Sequence, residues 1–264
     1  MIQQQKLPIT NVYKDVSYIP AKKELRYVTL ITKYDSVDTY HLEEYLKHNE
    51  DTDVYIITDS RKWEVLGVWN NYGWKNNDVL LREWWSKNRE KITCTKLLYL
   101  EHDVLITTKI TDEMFTDGVR TSTMFYINGV DVPPEETWAN VPWWWSSDGD
   151  KLPLRLKQTP ASTMPTILFF HTSVLDLLIL PEWDEVYSED IISEIRLPTL
   201  FNYYKIPMYN WDSNIGYMRN TCLPIDIQTE DPNILKKIKN LEPGFYHPIK
   251  APLDVFFKDY KFES

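Results

Sequence analysis

The pattern of apolar and polar positions predicts alternating strands and helices in the first part of the chain. Short β-branched runs bounded by polar residues predict strands at residues 27–32 and 53–59. Between them, an apolar repeat at i, i+3 and i+4 that begins at Leu42 predicts a helix, and a second helix is predicted from Asp78. Residues 96–100, nearly continuous in apolar character, predict a third strand that is buried on both faces. The pattern therefore predicts an α/β fold with a Rossmann-like mixed central sheet flanked by helices.

The remainder of the chain is less regular. Prolines interrupt the region 117–165, which predicts loops with short strands. Further elements are predicted as a strand at 166–171, a helix-like stretch at 173–180, a helix at about 189–204, a strand at 215–218 and a short helix at 232–240. Residues 1–24 have no sustained period and predict a surface arm lying over the fold. We expect a single domain, residues 1–264, with an arm (1–25), a first half (26–110) and a second half (111–264).

Composition and charge exclude several classes of protein. The chain has 264 residues and a formal net charge of −10, so it is a poor candidate for nucleic-acid binding through phosphate contacts. No apolar run reaches the roughly 18 residues that span a bilayer, and Met1–Lys6 lacks the pattern of a signal peptide. With only two cysteines, no disulfide framework is expected. These features predict a soluble, cytoplasmic protein without a transmembrane segment.

Glycine and tryptophan contents narrow the candidate chemistry. The 7 glycines form no dinucleotide-binding fingerprint, P-loop or nucleophile elbow. Trp is unusually frequent, and Trp143, Trp144 and Trp145 are consecutive in the proline-rich region. Three consecutive indoles cannot all face one core, so at least one is expected to line a pocket or contact surface. Either a sugar stacks there or buried indoles anchor the loop.

Two acids follow the apolar run 97–100. Glu101 and Asp103 flank His102 where the chain leaves a buried strand, and open α/β sheets bind ligands at the carboxyl ends of their strands. Both carboxylates can face one divalent cation, because hard cations such as Mg²⁺ and Mn²⁺ prefer oxygen ligands. The alternative is a strand end with solvated acids.

This segment resembles the acidic metal-binding motif of GT-A fold glycosyltransferases, which use nucleotide-sugar donors. The resemblance extends in order from about Arg26 to Lys250, and it implies that Glu101, His102 and Asp103 form an ExD variant of the "DxD" motif. It implies a GT-A-like fold with a nucleotide-sugar-binding half and a loop-rich acceptor half. The implied cofactor is Mn²⁺ or Mg²⁺, and the implied partners are a donor, most commonly a UDP-sugar, and a carbohydrate or other hydroxyl acceptor.

The resemblance also implies roles for other residues. The implied donor-binding residues lie at the ends of the first two strands and further along the chain: Thr32, Lys33, Tyr34, Asp35, Asp59, Arg82 and Lys250. His247 is the implied third metal ligand. Arg82 is alternatively an ordinary helix-surface residue. Asp190, or Glu189 in its place, is the implied catalytic base of an inverting hexosyl- or pentosyltransferase; alternatively both acids only cap a helix. Trp143, Trp144 and Trp145 are the implied acceptor surface.

Two alternatives remain open from the sequence. A retaining glycosyltransferase of the same fold needs no separate base, and a non-catalytic carbohydrate-binding protein would use the tryptophans without the metal-binding acids. A sugar nucleotidyltransferase is disfavoured, because its glycine-rich loop has no counterpart at Thr32-Lys33-Tyr34-Asp35.

Overall fold

The fold is taken from a computed structural model of the chain. It describes residues 13–33, 39, 42–59, 77–122, 124–126, 150–157, 159, 161–163, 165–188, 191–220 and 241–247.

The described residues form an alternating series of short elements. The strands are β1 (Tyr13–Ile19), β2 (Tyr27–Lys33), β3 (Thr52–Asp59), β4 (Lys96–Glu101), β5 (Leu105–Ile106), β6 (Val119–Thr121), β7 (Met124–Tyr126), β8 (Ala161–Thr163), β9 (Ile167–His171), β10 (Met208–Asn210), β11 (Tyr217–Asn220) and β12 (Gly244–His247). The α-helices are α1 (Leu42–His48), α2 (Asn77–Asn88), α3 (Asp184–Ser188) and α4 (Ser193–Tyr203). Short 3-10 helices cover Arg89–Lys91, Asp112–Met114, Thr172–Ile179, Pro181–Trp183 and Ser213–Ile215.

A mixed sheet of seven strands forms the centre of the fold, in the order β1-β3-β2-β4-β9-β6-β10. Strands β3, β2 and β4 run parallel, whereas β1 and β9 pair antiparallel with β3 and β4. A smaller sheet has the order β11-β12-β5, and β7 pairs with β8. The predicted mixed α/β architecture is confirmed.

Apolar side chains cover both faces of the central sheet. Along β4, Leu97 and Tyr99 belong to one core cluster, and Leu98 and Leu100 belong to the other. This alternation follows from the period of two of a strand, and each fully buried large apolar side chain contributes roughly 1.5–3 kcal/mol. Helices α2 and α4 pack in the first cluster, and α1 packs in the second. The prediction that this strand is buried on both faces is confirmed.

The predicted surface arm is wrong over residues 13–19. These residues form β1, an edge strand of the central sheet that pairs antiparallel with β3. Its apolar side chains gave no recognisable pattern because some of them stay in solvent: Val16 is 46% and Tyr18 is 51% exposed. Backbone pairing with β3 holds this strand in place, together with scattered apolar contacts such as that of Tyr18 with Tyr55.

Two other predicted boundaries also move. The helix predicted from about residue 189 begins at Ser193, because Ile192 has an extended backbone conformation. Glu189 and Asp190, the predicted start of this helix, lie outside the described residues. The strand predicted at 215–218 is β11, at Tyr217–Asn220, after a 3-10 helix. The predicted helix at 232–240 lies outside the described residues. Among the helices of the described ranges, none has the length and apolar character needed to cross a bilayer.

Candidate metal centre

The carboxyl ends of β2, β3 and β4 bring several predicted donor-binding residues to one edge of the sheet. Thr32 is in register with Glu101 across the β2–β4 pair, and Lys33 is in register with Thr58 across the β2–β3 pair. Asp59 is the last residue of β3. Because neighbouring strands lie about 4.8 Å apart, these residues share one edge of the sheet.

A tight turn directs the two acids of the motif. The backbone N–H of Val104 donates to the carbonyl of Glu101 at 3.2 Å, so residues 101–104 form a β-turn directly after β4. Val104 and Leu105 are buried and anchor the far side of this turn. The turn carries Glu101, which is 6% exposed, and the half-buried Asp103 to the same end of the sheet.

Strand β12 places His247 beside this turn. Tyr246 is in register with Leu105 and Phe245 with Ile106 in an antiparallel pair, so β12 continues past the β-turn at residues 101–104. Side chains alternate along β12. Phe245 packs against Phe169 in the core, and His247, two residues further on, lies on the same side of the strand. The alternation therefore turns the imidazole of His247 towards the acids.

Glu101, Asp103 and His247 form a compact group of potential metal ligands. Nε2 of His247 lies 3.3 Å from Oδ1 of Asp103, and one ligand atom from each residue lies within 4.8 Å of the others. Ligands at about 2.1 Å from a Mg²⁺-sized ion are themselves about 3–4 Å apart, so small side-chain movements suffice to enclose a cation. Two carboxylates and one imidazole are a donor set that Mn²⁺ and related ions accept. The residues present fit a divalent cation.

A glycine allows β12 to approach its neighbour. A Cβ atom on Gly244 would lie 2.5 Å from the carbonyl oxygen of Tyr217, which is in register with Gly244 in the parallel β11–β12 pair. On the other side, the backbone N–H of Thr107 donates to the carbonyl of Gly244 at 2.9 Å. Gly244 therefore fixes the start of the strand that ends at His247.

Arg82 lies in α2, and its described contacts are with the segment 178–187. Its guanidinium donates to the carbonyl of Leu178 at 2.8 Å, pairs with Asp184 and lies over the ring of Tyr187, 4.5 Å from the ring centroid. The role of Arg82 towards a donor stays a prediction. Eight other predicted site residues lie outside the described residues, namely Tyr34, Asp35, Trp143, Trp144, Trp145, Glu189, Asp190 and Lys250.

A buried ion pair joins α2 and α4, the two helices of the first core cluster. The sequence did not indicate this pair. Arg196 of α4 binds both carboxylate oxygens of Asp78 in α2, and both side chains are 0% exposed. The guanidinium of Arg196 also donates to the carbonyl of Ile191 at 2.5 Å and lies 4.9 Å from the ring centroid of Tyr187. Burial, together with the charge of Asp78, raises the pKa of the Tyr187 hydroxyl. The only sequence signal was one arginine within an otherwise mostly apolar helix.

Comparisons with known proteins give similarities to solved structures only. No protein-family model matches the chain, and no curated protein matches it. Among solved structures, the chain is similar to the galactosyltransferase LgtC in complex with donor and acceptor sugar analogues, at 13% identity over 85% of this chain and 87% of that chain (TM-score 0.44). It is similar to a glycosyltransferase involved in glycosylation of the major capsid of PBCV-1, at 14% identity over 74% and 84% of the two chains (TM-score 0.41).

A third similar structure is mouse xyloside xylosyltransferase 1, at 9% identity over 85% of this chain and 97% of that chain (TM-score 0.38). All three proteins are glycosyltransferases by name, the class to which the sequence resemblance points. At these identities and TM-scores, the side chains at the sheet edge, and not the similarities, carry the proposal that follows.

Proposed function

We propose that this protein is a metal-dependent glycosyltransferase that moves a sugar from a nucleotide diphosphate sugar, a UDP-sugar, to a hydroxyl group of a carbohydrate acceptor. The observation that carries the proposal is the group formed by Glu101, Asp103 and His247 at the carboxyl edge of the parallel strands. Ligands of open α/β sheets bind at this edge, and the same edge carries Thr32, Lys33 and Asp59.

The acidic group needs a cation before it can accept a diphosphate. Two carboxylates repel a phosphate, and the whole protein is acidic, with a net charge of −10. Glu101, Asp103 and His247 would hold Mn²⁺ or Mg²⁺, which supplies positive charge to the diphosphate when it is bound. Lys250, three residues after His247 in the chain, would add a second positive charge.

Transfer with inversion requires a group that removes the acceptor proton. Asp190, with Glu189 as the alternative, would accept this proton while the acceptor oxygen attacks the anomeric carbon. The bond between that carbon and the acceptor oxygen forms as the bond to the diphosphate oxygen breaks, which inverts the anomeric configuration. Trp143, Trp144 and Trp145 would offer apolar faces on which the acceptor sugar stacks.

A panel of nucleotide sugars tests the proposal directly. We expect hydrolysis or transfer of at least one UDP-sugar in the presence of Mn²⁺ and loss of this turnover in EDTA. His247→Gln should lose activity. The matched control is His171→Gln, because His171 is in register with Lys96 at the opposite edge of the sheet.

Two results contradict the proposal. Turnover that is equal in EDTA and in Mn²⁺ would remove the metal from the reaction. Calorimetric binding of free sugars without any binding of nucleotide sugars would favour a non-catalytic carbohydrate-binding protein.

A further inference from the structure

A single arginine contacts both flanks of the two-acid segment Glu189–Asp190. On the amino-terminal flank, the guanidinium of Arg196 lies over the ring of Tyr187, with 4.9 Å between its central carbon and the ring centroid. On the carboxyl-terminal flank, the same guanidinium donates to the carbonyl of Ile191 at 2.5 Å. The remaining nitrogens of its fork bind both oxygens of Asp78.

The contacts of this guanidinium are buried. Arg196, Asp78 and Tyr187 are each at most 1% exposed, so water does not compete for their contacts. The planar guanidinium distributes its donors in fixed directions, so it can bind a carboxylate and a carbonyl at once only when both are held in place. Asp78 is anchored in α2, which packs against the central sheet.

Stability alone does not account for a buried charged pair. Burial of two charges is expensive, and replacement of such a pair by apolar side chains of similar size is often neutral or stabilising. A salt bridge kept in this position is better explained by the geometry that it imposes. Here the imposed geometry is that of the backbone on either side of residues 189–190.

The direction of α2 relates the anchor to the proposed reaction centre. Helix α2 runs back towards the start of β4, and it is about 18 Å long, close to the roughly 20 Å length of β4. Asp78 lies at the beginning of α2, and Glu101 lies at the end of β4. The anchor therefore lies towards the edge of the sheet that carries the metal-binding acids.

We propose that Arg196 is a positioning residue for the glycosyl transfer, which, through its pair with Asp78, holds both flanks of the segment that carries the catalytic acid. This inference rests on the proposed function, because that function assigns the proton transfer to Asp190 or Glu189. Arg196 acts through the backbone at Ile191 and through the ring of Tyr187. Arg82 also contacts the amino-terminal flank, through Tyr187 and Asp184.

An apolar replacement of the whole pair separates positioning from stability. The double variant Arg196→Met with Asp78→Leu removes both charges and leaves no buried charge uncompensated, although the carbonyl of Ile191 loses its donor. Its melting temperature should therefore stay close to that of the wild type. We expect kcat to fall by up to about 10²-fold, the usual cost of a small misplacement of a reacting group. The affinity for UDP in Mn²⁺ should be unchanged, and amide exchange over residues 187–192 should become faster.

Two further variants complete the experiment. Lys96→Met with Asp112→Leu removes an ion pair at the opposite edge and should leave kcat and the exchange over residues 187–192 unchanged. Arg196→Lys keeps the charge opposite Asp78 but loses the fork, so its melting temperature should stay close to that of the wild type while its kcat falls. If the apolar double variant does not fold, Arg196→Lys is measured in the same way in its place.

The outcomes are distinct. Wild-type kcat in the folded apolar variant overturns the inference, and so does exchange over residues 187–192 that is unchanged. If the wild-type protein turns over no nucleotide sugar, the proposed function has failed. In that case the exchange data alone decide whether Arg196 holds the segment, and faster exchange in the variant supports it.

Discussion

Oδ1 of Asp103 lies 3.3 Å from Nε2 of His247, although the two residues come from opposite halves of the chain. Asp103 belongs to the turn after β4, and His247 ends β12. The contact arises because β5, directly after the turn, pairs antiparallel with β12. One strand pair therefore joins the acids of the first half to the imidazole of the second half.

Asp103→Asn should abolish the metal-dependent binding of UDP. The amide keeps the shape of the side chain but removes the negative charge that a divalent cation requires. The loss in affinity should exceed the 10–100-fold cost that is usual when a residue that only hydrogen-bonds to a metal ligand is replaced. Calorimetry with UDP and Mn²⁺ measures this loss. Asp117→Asn is the matched control, because Asp117 binds Tyr209 near the opposite edge of the sheet. Wild-type affinity in Asp103→Asn would remove this residue from the centre.

Gly244→Ala and Gly118→Ala should both destabilise the protein, but only the first should weaken metal binding. An added Cβ would lie 2.5 Å from the carbonyl oxygen of Tyr217 at Gly244, and 2.0 Å from that of Pro207 at Gly118. Overpacking of this kind typically costs about 1–3 kcal/mol. Gly244 begins the strand of His247, whereas Gly118 lies beside His171. Urea unfolding measures the loss of stability, and Mn²⁺ titration measures the metal affinity. If both variants bound Mn²⁺ equally well, the position of β12 would not matter for metal binding.

Asp190→Asn should reduce kcat by about 10²-fold or more, the usual effect of losing a general base. The affinity for the donor should hardly change, because the proposed base contacts the acceptor hydroxyl. Glu189→Gln is the companion variant and should be nearly normal if Asp190 is the base. The proton coupling at the anomeric centre of the product gives an independent measurement. Retained configuration, or normal kcat in both variants, would leave the inverting mechanism without support.

Lys250→Ala should weaken the binding of UDP and of the intact donor together, because each presents a diphosphate. The KM for the acceptor should stay the same, since Lys250 is proposed to meet phosphate only. Lys91→Ala is a suitable control, because Lys91 is exposed in the 3-10 helix that precedes β4 at the opposite edge. Calorimetry with UDP and initial rates with varied acceptor measure the two effects. A change confined to the KM for the acceptor would show that Lys250 acts on the acceptor and not on the diphosphate.

Acidification should remove a stabilising contribution of Asp112. Hydrogen bonds from Lys96 and Arg26 lower the pKa of the Asp112 carboxyl below its usual value. A lowered pKa in the folded state stabilises the protein above the unfolded pKa, about 3.9, and this contribution is lost as the pH falls through the folded value. Because Asp112 is largely exposed, the contribution at pH 7 should be only about 0.2–1 kcal/mol.

Urea unfolding of Asp112→Asn at a series of pH values measures this contribution. The variant should be less stable than the wild type at pH 7, and the difference should shrink below about pH 4. Glu113→Gln, on the same 3-10 helix, is the control. A difference that stayed constant down to the acid limit would show that charge is not its cause.

Most of the first half of the fold could be predicted from local patterns. The presence and approximate positions of β2, β3, α2 and β4 follow from their apolar patterns, since each of these elements buries a set of apolar side chains. The position of Glu101 and Asp103 also followed from sequence, because a continuous apolar run, residues 97–100, ends directly before Glu101. Strand β1 could not be predicted, since its place depends on backbone pairing with β3 and not on an apolar pattern.

The amino-acid sequence by itself determined the alternating elements and put two acids at the end of a buried strand. His247 was predicted as a ligand only by resemblance, and the tertiary structure decided that it meets Asp103, through the pairing of β5 with β12. The tertiary structure alone also brought Arg196 to Asp78. The physical reason is the range of the interactions: periodicity reports which side chains of one element are buried, whereas contacts between distant elements depend on how complete sheets and helices pack together.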